Sequence, residues 1–140
     1  LYKDVAALVF GRLPMLRPVA AILLLIPSVA PVNAAAPPAA LQGEWLVDLS
    51  ARSDEPYVKP MVLDLQADGT VKGSFYESEI LAGRWKTDRG RTCVSFRTTD
   101  GLGPYHTAAC LVGDRVEGQT WAEHRNFLFN WNAMRGVSAR

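Results

Sequence analysis

The stretch "LQGEWLVDL", Leu41–Leu49, follows a run of alanines and prolines and opens the part of the chain that reads as folded. Trp45, Val47 and Leu49 fall on alternate positions, so an extended backbone puts all three on one face. Gly43 lies two residues before the tryptophan. A Gly-x-Trp of this kind either begins an ordinary strand or opens a barrel that encloses a ligand. The rest of the chain decides between them.

Alternation continues beyond Leu49. In "MVLDLQ", Met61, Leu63 and Leu65 share one face, with Asp64 and Gln66 opposite. In "FLFNWNAMR", Phe127, Phe129, Trp131 and Ala133 lie on one side and Asn130 and Asn132 on the other. No window sustains a helical period. Turn signals punctuate the runs: "ADGT" (67–70) is a strong hairpin signal, and "DRGR" (88–91), "DGLGP" (100–104) and "VGDR" (112–115) are further turns. The spacing predicts strands over 43–49, 60–66, 70–77, 80–86, 92–98, 105–111, 115–121 and 126–135. Short strands joined by tight hairpins predict an all-β fold, a sandwich or an up-and-down barrel, and the reading taken is an eight-stranded antiparallel up-and-down barrel. The one long connection, "SARSDEPYVKP" (50–60), is polar and proline-punctuated, suited to a rim or lid.

The two cysteines, Cys93 and Cys110, test this layout. If the 92–98 and 105–111 strands pair across a turn between Gly101 and Leu102, Cys93 falls directly opposite Cys110. Such a pair is close enough for a disulfide, which an exported chain would form.

Export is the reading of the first third. Within 140 residues, "MLRPVAAILLLIPSVAPVNA" (15–34) has a basic start at Arg17, an apolar run Val19–Ile26 and a small-residue end at Ala34. That is the order of a secretory signal peptide, and the apolar run is too short for a helix to span a bilayer. The organisation expected is a signal peptide over 1–34, a flexible leader over 35–40, a barrel domain over 41–136 and a tail over 137–140. The protein would then be periplasmic or extracellular. Residues 35–140 carry twelve Lys and Arg against thirteen Asp and Glu, net −1. This excludes the basic footprint of a nucleic-acid binder, and no stable membrane span follows the signal.

With Gly43-x-Trp45 on the first strand and hairpin-linked strands after it, the region resembles the calycins: lipocalins, fatty-acid-binding proteins and avidins. The resemblance implies that the Trp45 indole closes one barrel end beneath an arginine from the end of the last strand, for which Arg135 is the candidate. "ADGTVKGSFYES" followed by "LAGRW" is also similar to the second-hairpin region of avidins. The spacing is one residue longer because of Phe75, and Leu46 and Val47 stand where avidins place a biotin-holding Asn, so biotin binding is not carried over. The chain is further similar to small exported bacterial proteins with the same order of motifs across 41–135.

An eight-stranded barrel has an interior that side chains can just fill, or that holds one small ligand; the sequence leaves both open. If a ligand binds, Tyr57, Tyr76 and Trp85 are the candidate stacking surface, and Arg84 or Arg97 the candidate inward cation. A small apolar or amphiphilic molecule is the expected partner, with no cofactor and no metal. The alternative is a protein-interaction module, such as a barrel-type protease inhibitor, using the 35–42 segment or the 50–60 loop. A hydrolase would need Glu77 or Glu79 to meet His124 in one cleft, with Glu123 and Arg125 beside it. His106 shares a strand face with Cys110, but the disulfide removes a thiolate nucleophile. No catalytic motif is present, so the chain is read as a non-enzyme.

Overall fold

The computed structural model describes residues 36–136. The expected signal peptide over 1–34 and the tail over 137–140 lie outside the described residues. The strands are β1 Gly43–Asp48, β2 Val58–Leu65, β3 Thr70–Phe75, β4 Ser78–Glu79, β5 Leu81–Asp88, β6 Arg91–Thr99, β7 Pro104–Val112, β8 Arg115–Ala122 and β9 Phe127–Arg135. All pairings are antiparallel. β2 pairs with both β1 and β3, and β9 returns to β1, so the sheet closes on itself. β4 is the short first piece of the stave that β5 completes, which makes the closed barrel eight-stranded.

The stave of β4 and β5 breaks because the register slips. Ser74 faces Glu79, yet Thr70 faces Arg84, one residue further along the chain. Ala82 takes up the extra residue with φ at +53°, and Ile80 donates its N–H to Gly73 O at 3.0 Å. The bulge bends this stave around the barrel.

Alternation decides what is inside. Trp45, Val47, Met61, Leu63, Leu65, Val71, Phe75, Trp85, Val94, Phe96, Val116, Trp131 and Ala133 form the buried core. Three of the four tryptophans are core residues; Trp121 faces outward and is 37% exposed. Cys93 and Cys110 are paired in register and joined by a disulfide, with Cα atoms 4.0 Å apart. Closing a loop of this length lowers unfolded-chain entropy by about 3 kcal/mol equivalent in the chain-entropy account.

Up-and-down connectivity sends successive connections to opposite ends. One end receives the start of β1, the end of β9 and the β2–β3, β5–β6 and β7–β8 hairpins. This end is closed. Trp45 is 1% exposed, and the Arg135 guanidinium carbon sits 4.1 Å from its ring centroid. Gly43 has φ at +104°, a region closed to most side chains, and there the chain turns in from Pro38–Leu41 to begin β1. Trp45 Nε1 donates to Leu41 O at 3.0 Å. Arg135 donates to Gln42 O at 2.5 Å, to Ala39 O at 3.3 Å and to Ala40 O. At the C-terminal part of the 35–40 segment, Pro38–Ala40 enter a turn that leads into β1. Leu41 N bonds Pro38 O at 3.0 Å, and Arg135 holds the following carbonyls.

Candidate functional site

The opposite end is framed by four connections: the segment between β1 and β2, the Tyr76–Glu77 turn, the β6–β7 hairpin tip, and the 3-10 turn Glu123–Arg125 before β9. Together they surround a cavity of about 590 Å³, within the usual range for small-molecule sites.

Its floor comes from inward positions of the strands. Leu49, Phe75, Thr98 and Thr120 line it, and Phe75, Thr98 and Thr120 are buried. Phe75 lies against Trp131, with ring centroids 5.4 Å apart, and edge-on to Phe96 at 6.0 Å. Thr120 Oγ1 accepts from Trp131 Nε1 at 3.0 Å and bonds the Thr107 hydroxyl at 3.0 Å. The Thr98 hydroxyl has no hydrogen-bond partner among the described residues, although Thr98 is only 5% exposed. One wall is Phe127 and Phe129, stacked with centroids 5.6 Å apart.

Two polar clusters stand on the rim. In the first, the hydroxyls of Tyr57 and Tyr76 bond to one another. The Lys59 ammonium lies 5.4 Å and 5.1 Å from their ring centroids and 3.5 Å from a Glu77 carboxylate oxygen. The bond from Tyr57, together with burial, raises the Tyr76 hydroxyl above its ordinary pKa. Val47 and Lys59 face each other in register; Val47 points inward, so Lys59 does as well.

The second cluster centres on Asp100. Its carboxylate accepts from Tyr105 Oη at 2.8 Å, from Leu102 N at 2.9 Å, and from Arg125 Nε at 3.2 Å and Arg125 Nη2. His124 Nε2 is 3.8 Å away and the His124 ring lies edge-on to Tyr105. The Arg125 hydrogen bond, backed by Leu102 N–H and Tyr105, holds the Asp100 carboxyl well below the usual carboxylate range. Burial first, then the bond to Asp100, raises Tyr105. Asp100 in turn raises Arg125. Asp100 is thus a neutralised anchor for the rim rather than a free acid.

The residues singled out from sequence divide sharply. Tyr57 and Tyr76 line the cavity. Trp85 does not: it is a core residue at the closed half, donating Nε1 to Gln66 O at 2.7 Å. Arg84 and Arg97 lie on the outer face and are exposed. The inward positions beside them belong to Trp85, Phe96 and Thr98, which rules out the expected inward arginine. Tyr76 and Glu77 do not alternate on a strand: both have positive φ, and they form the two-residue turn between Phe75 and Ser78. Glu79 is exposed, Glu77 faces Lys59 and His124 faces Asp100. These three groups share no partner. His106 is exposed on the outer face of β7. Among the described residues no cluster of three or more His, Cys, Asp or Glu is placed to hold a metal ion.

The sequence reading missed Lys59, Thr98, Asp100, Tyr105 and the Phe127–Phe129 wall as members of the site. Lys59 was legible, because the alternation of Met61, Leu63 and Leu65 extends back to it.

Compared with protein-family models, with curated proteins and with solved structures, the chain matches none. The functional reading therefore rests on the site itself.

Proposed function

We propose that this chain is a calycin-like exported barrel that binds one small, partly apolar molecule at its open end. The observation that carries the reading is the cavity of about 590 Å³. It opens between aromatic walls at the end opposite the Trp45–Arg135 plug, where a lipocalin-type barrel would hold its ligand. A filled interior, the competing reading of an eight-stranded barrel, would leave no such space.

Binding rather than catalysis is supported by the state of the polar groups. Asp100 is engaged by Arg125 and Tyr105, and Glu77 by Lys59. Among the described residues of the cavity, no carboxylate and imidazole stand free together to pass a proton to a substrate.

The test is titration with 1-anilinonaphthalene-8-sulfonate. One saturable site is expected. Leu49→Trp, which places an indole in the cavity, should weaken binding at least about tenfold, a change of about 1.4 kcal/mol. Arg97→Ala, on the outer face, should bind as wild type. An unsaturable response, or a Leu49→Trp variant that binds unchanged, overturns the reading.

Export is supported by the disulfide and by the signal-like order of residues 15–34. Intact mass of the protein recovered from its native host should show a chain beginning near Ala35, in the periplasm or the medium. A cytoplasmic chain that retains residues 15–34 would refute it.

A further inference from the structure

The cavity has a chemical bias beyond being apolar. Its lining includes Phe75, Phe127, Phe129, Tyr57, Tyr76 and Tyr105, so ring faces and edges outweigh aliphatic surface. Phe127 and Phe129 stack on one another, nearly parallel at 14°, and both line the cavity. Flat aromatic walls favour a flat guest through offset and edge contacts; a flexible acyl chain gains less from them and loses more rotational freedom.

The polar groups add a direction. Thr98 lines the floor and its hydroxyl has no protein partner; no side-chain oxygen or nitrogen among the described residues is both shut from solvent and unpaired, so this hydroxyl opens on the cavity. A hydroxyl in so narrow an opening gains from an acceptor that replaces water there, and the cavity is the space from which that acceptor can come. At the rim, the Tyr57 and Tyr76 hydroxyls share one hydrogen bond, so one of their two protons remains for a further acceptor. The carboxylate that lines the cavity, Asp100, is already met by Arg125, Tyr105 and a backbone N–H. The lining therefore offers donors and no uncommitted anion, which disfavours a cationic guest.

We infer that the pocket takes a planar ring system whose leading edge carries an oxygen acceptor, a carbonyl above all, and that Thr98 donates to that acceptor at the floor. The inference rests on the binding reading above and narrows it to a ligand class. Thr98 is then a specificity-determining residue: it selects an oxygen acceptor over a hydrocarbon of the same shape, because only the acceptor satisfies the hydroxyl.

The test uses a matched pair, 2-acetylnaphthalene and 2-ethylnaphthalene, with dodecanoate as the flexible competitor, each displacing 1-anilinonaphthalene-8-sulfonate. The ketone should bind roughly five- to tenfold more tightly than the hydrocarbon, the advantage of one well-placed hydrogen bond, and more tightly than dodecanoate. Thr98→Val should remove the difference between ketone and hydrocarbon. Thr98→Ser should keep it, and serves in place of Thr98→Val if that variant fails to fold, since it must then behave as wild type. Equal binding of the pair in wild type, a preference that survives in Thr98→Val, or tighter binding of dodecanoate overturns the ligand class while the pocket stands. If the sulfonate dye finds no site either, the binding reading falls and this inference falls with it.

Discussion

Trp45→Ala is expected to lower the unfolding free energy by about 3–5 kcal/mol, the usual loss when a large buried aromatic is cut to a methyl. Three losses coincide. The indole is 1% exposed, so its whole surface returns to water in the unfolded reference. Leu41 O loses its donor, and it belongs to a residue that is itself fully buried. Arg135 loses the ring beneath its guanidinium, the contact that fixes it beside the carbonyls of Ala39, Ala40 and Gln42. The measurement is a urea titration followed by far-ultraviolet circular dichroism, where the midpoint should fall with little change in slope. Trp121→Ala is the control: that ring faces outward on β8, and its loss should cost about 1 kcal/mol or less. Equal midpoints for the two variants would mean that Trp45 does not close the barrel.

The barrel itself was legible because its information is local and periodic. Alternation marks the strands that have one face in the core, and Gly-containing turns mark the β2–β3, β5–β6, β6–β7 and β7–β8 connections. The pairing of Cys93 with Cys110 followed from one hairpin alone, since a turn fixes the register of the strands it joins. The plug residues were legible for a different reason: they came with the resemblance carried by Gly43-x-Trp45.

The mouth was harder to read, and particular residues show why. Read from the sequence, the third strand runs on through Tyr76 to Glu77. The chain instead reverses at Tyr76–Glu77, both with positive φ, where glycine or asparagine is the usual signal. With the turn unseen, that strand is carried two residues past Phe75, and the one after it is placed without its bulge. Arg84 and Arg97 failed differently. Either face of a strand can be inward until one buried neighbour is fixed, and Trp85 and Phe96 fix them outward. Lys59 was lost to a boundary, because β2 begins at Val58 rather than at 60. Asp100, Tyr105 and Arg125 come together from β7 and two separate connections. That meeting is set by the pairing of β7 with β6 and β8, which brings the two connections to the same end side by side, and no local pattern encodes it.

The second large effect is expected at Gly73→Ala, at about 4 kcal/mol. The position is constrained twice. Its φ of +123° is open to glycine and strained for alanine, by about 1–3 kcal/mol. A Cβ there would stand 2.0 Å from Val62 O and 2.9 Å from Val62 C. These are backbone atoms of β2, so no side chain can swing aside, and β3 must move away at a further cost of about 1–3 kcal/mol. The contact exists because β3 does two things within six residues. It runs against β2 along its length, and it hands its other edge to β4 and β5 across the register slip, where Gly73 O receives the Ile80 N–H. Moving β3 also moves Phe75, two residues on, which forms part of the cavity floor. Gly73→Ala should therefore lower both the urea midpoint and the affinity for 1-anilinonaphthalene-8-sulfonate, although the substitution lies outside the pocket lining. A variant with the wild-type midpoint would show that β2 and β3 do not approach this closely. A lowered midpoint with unchanged dye affinity would show that the floor is held by Trp131 and Phe96 rather than by the path of β3.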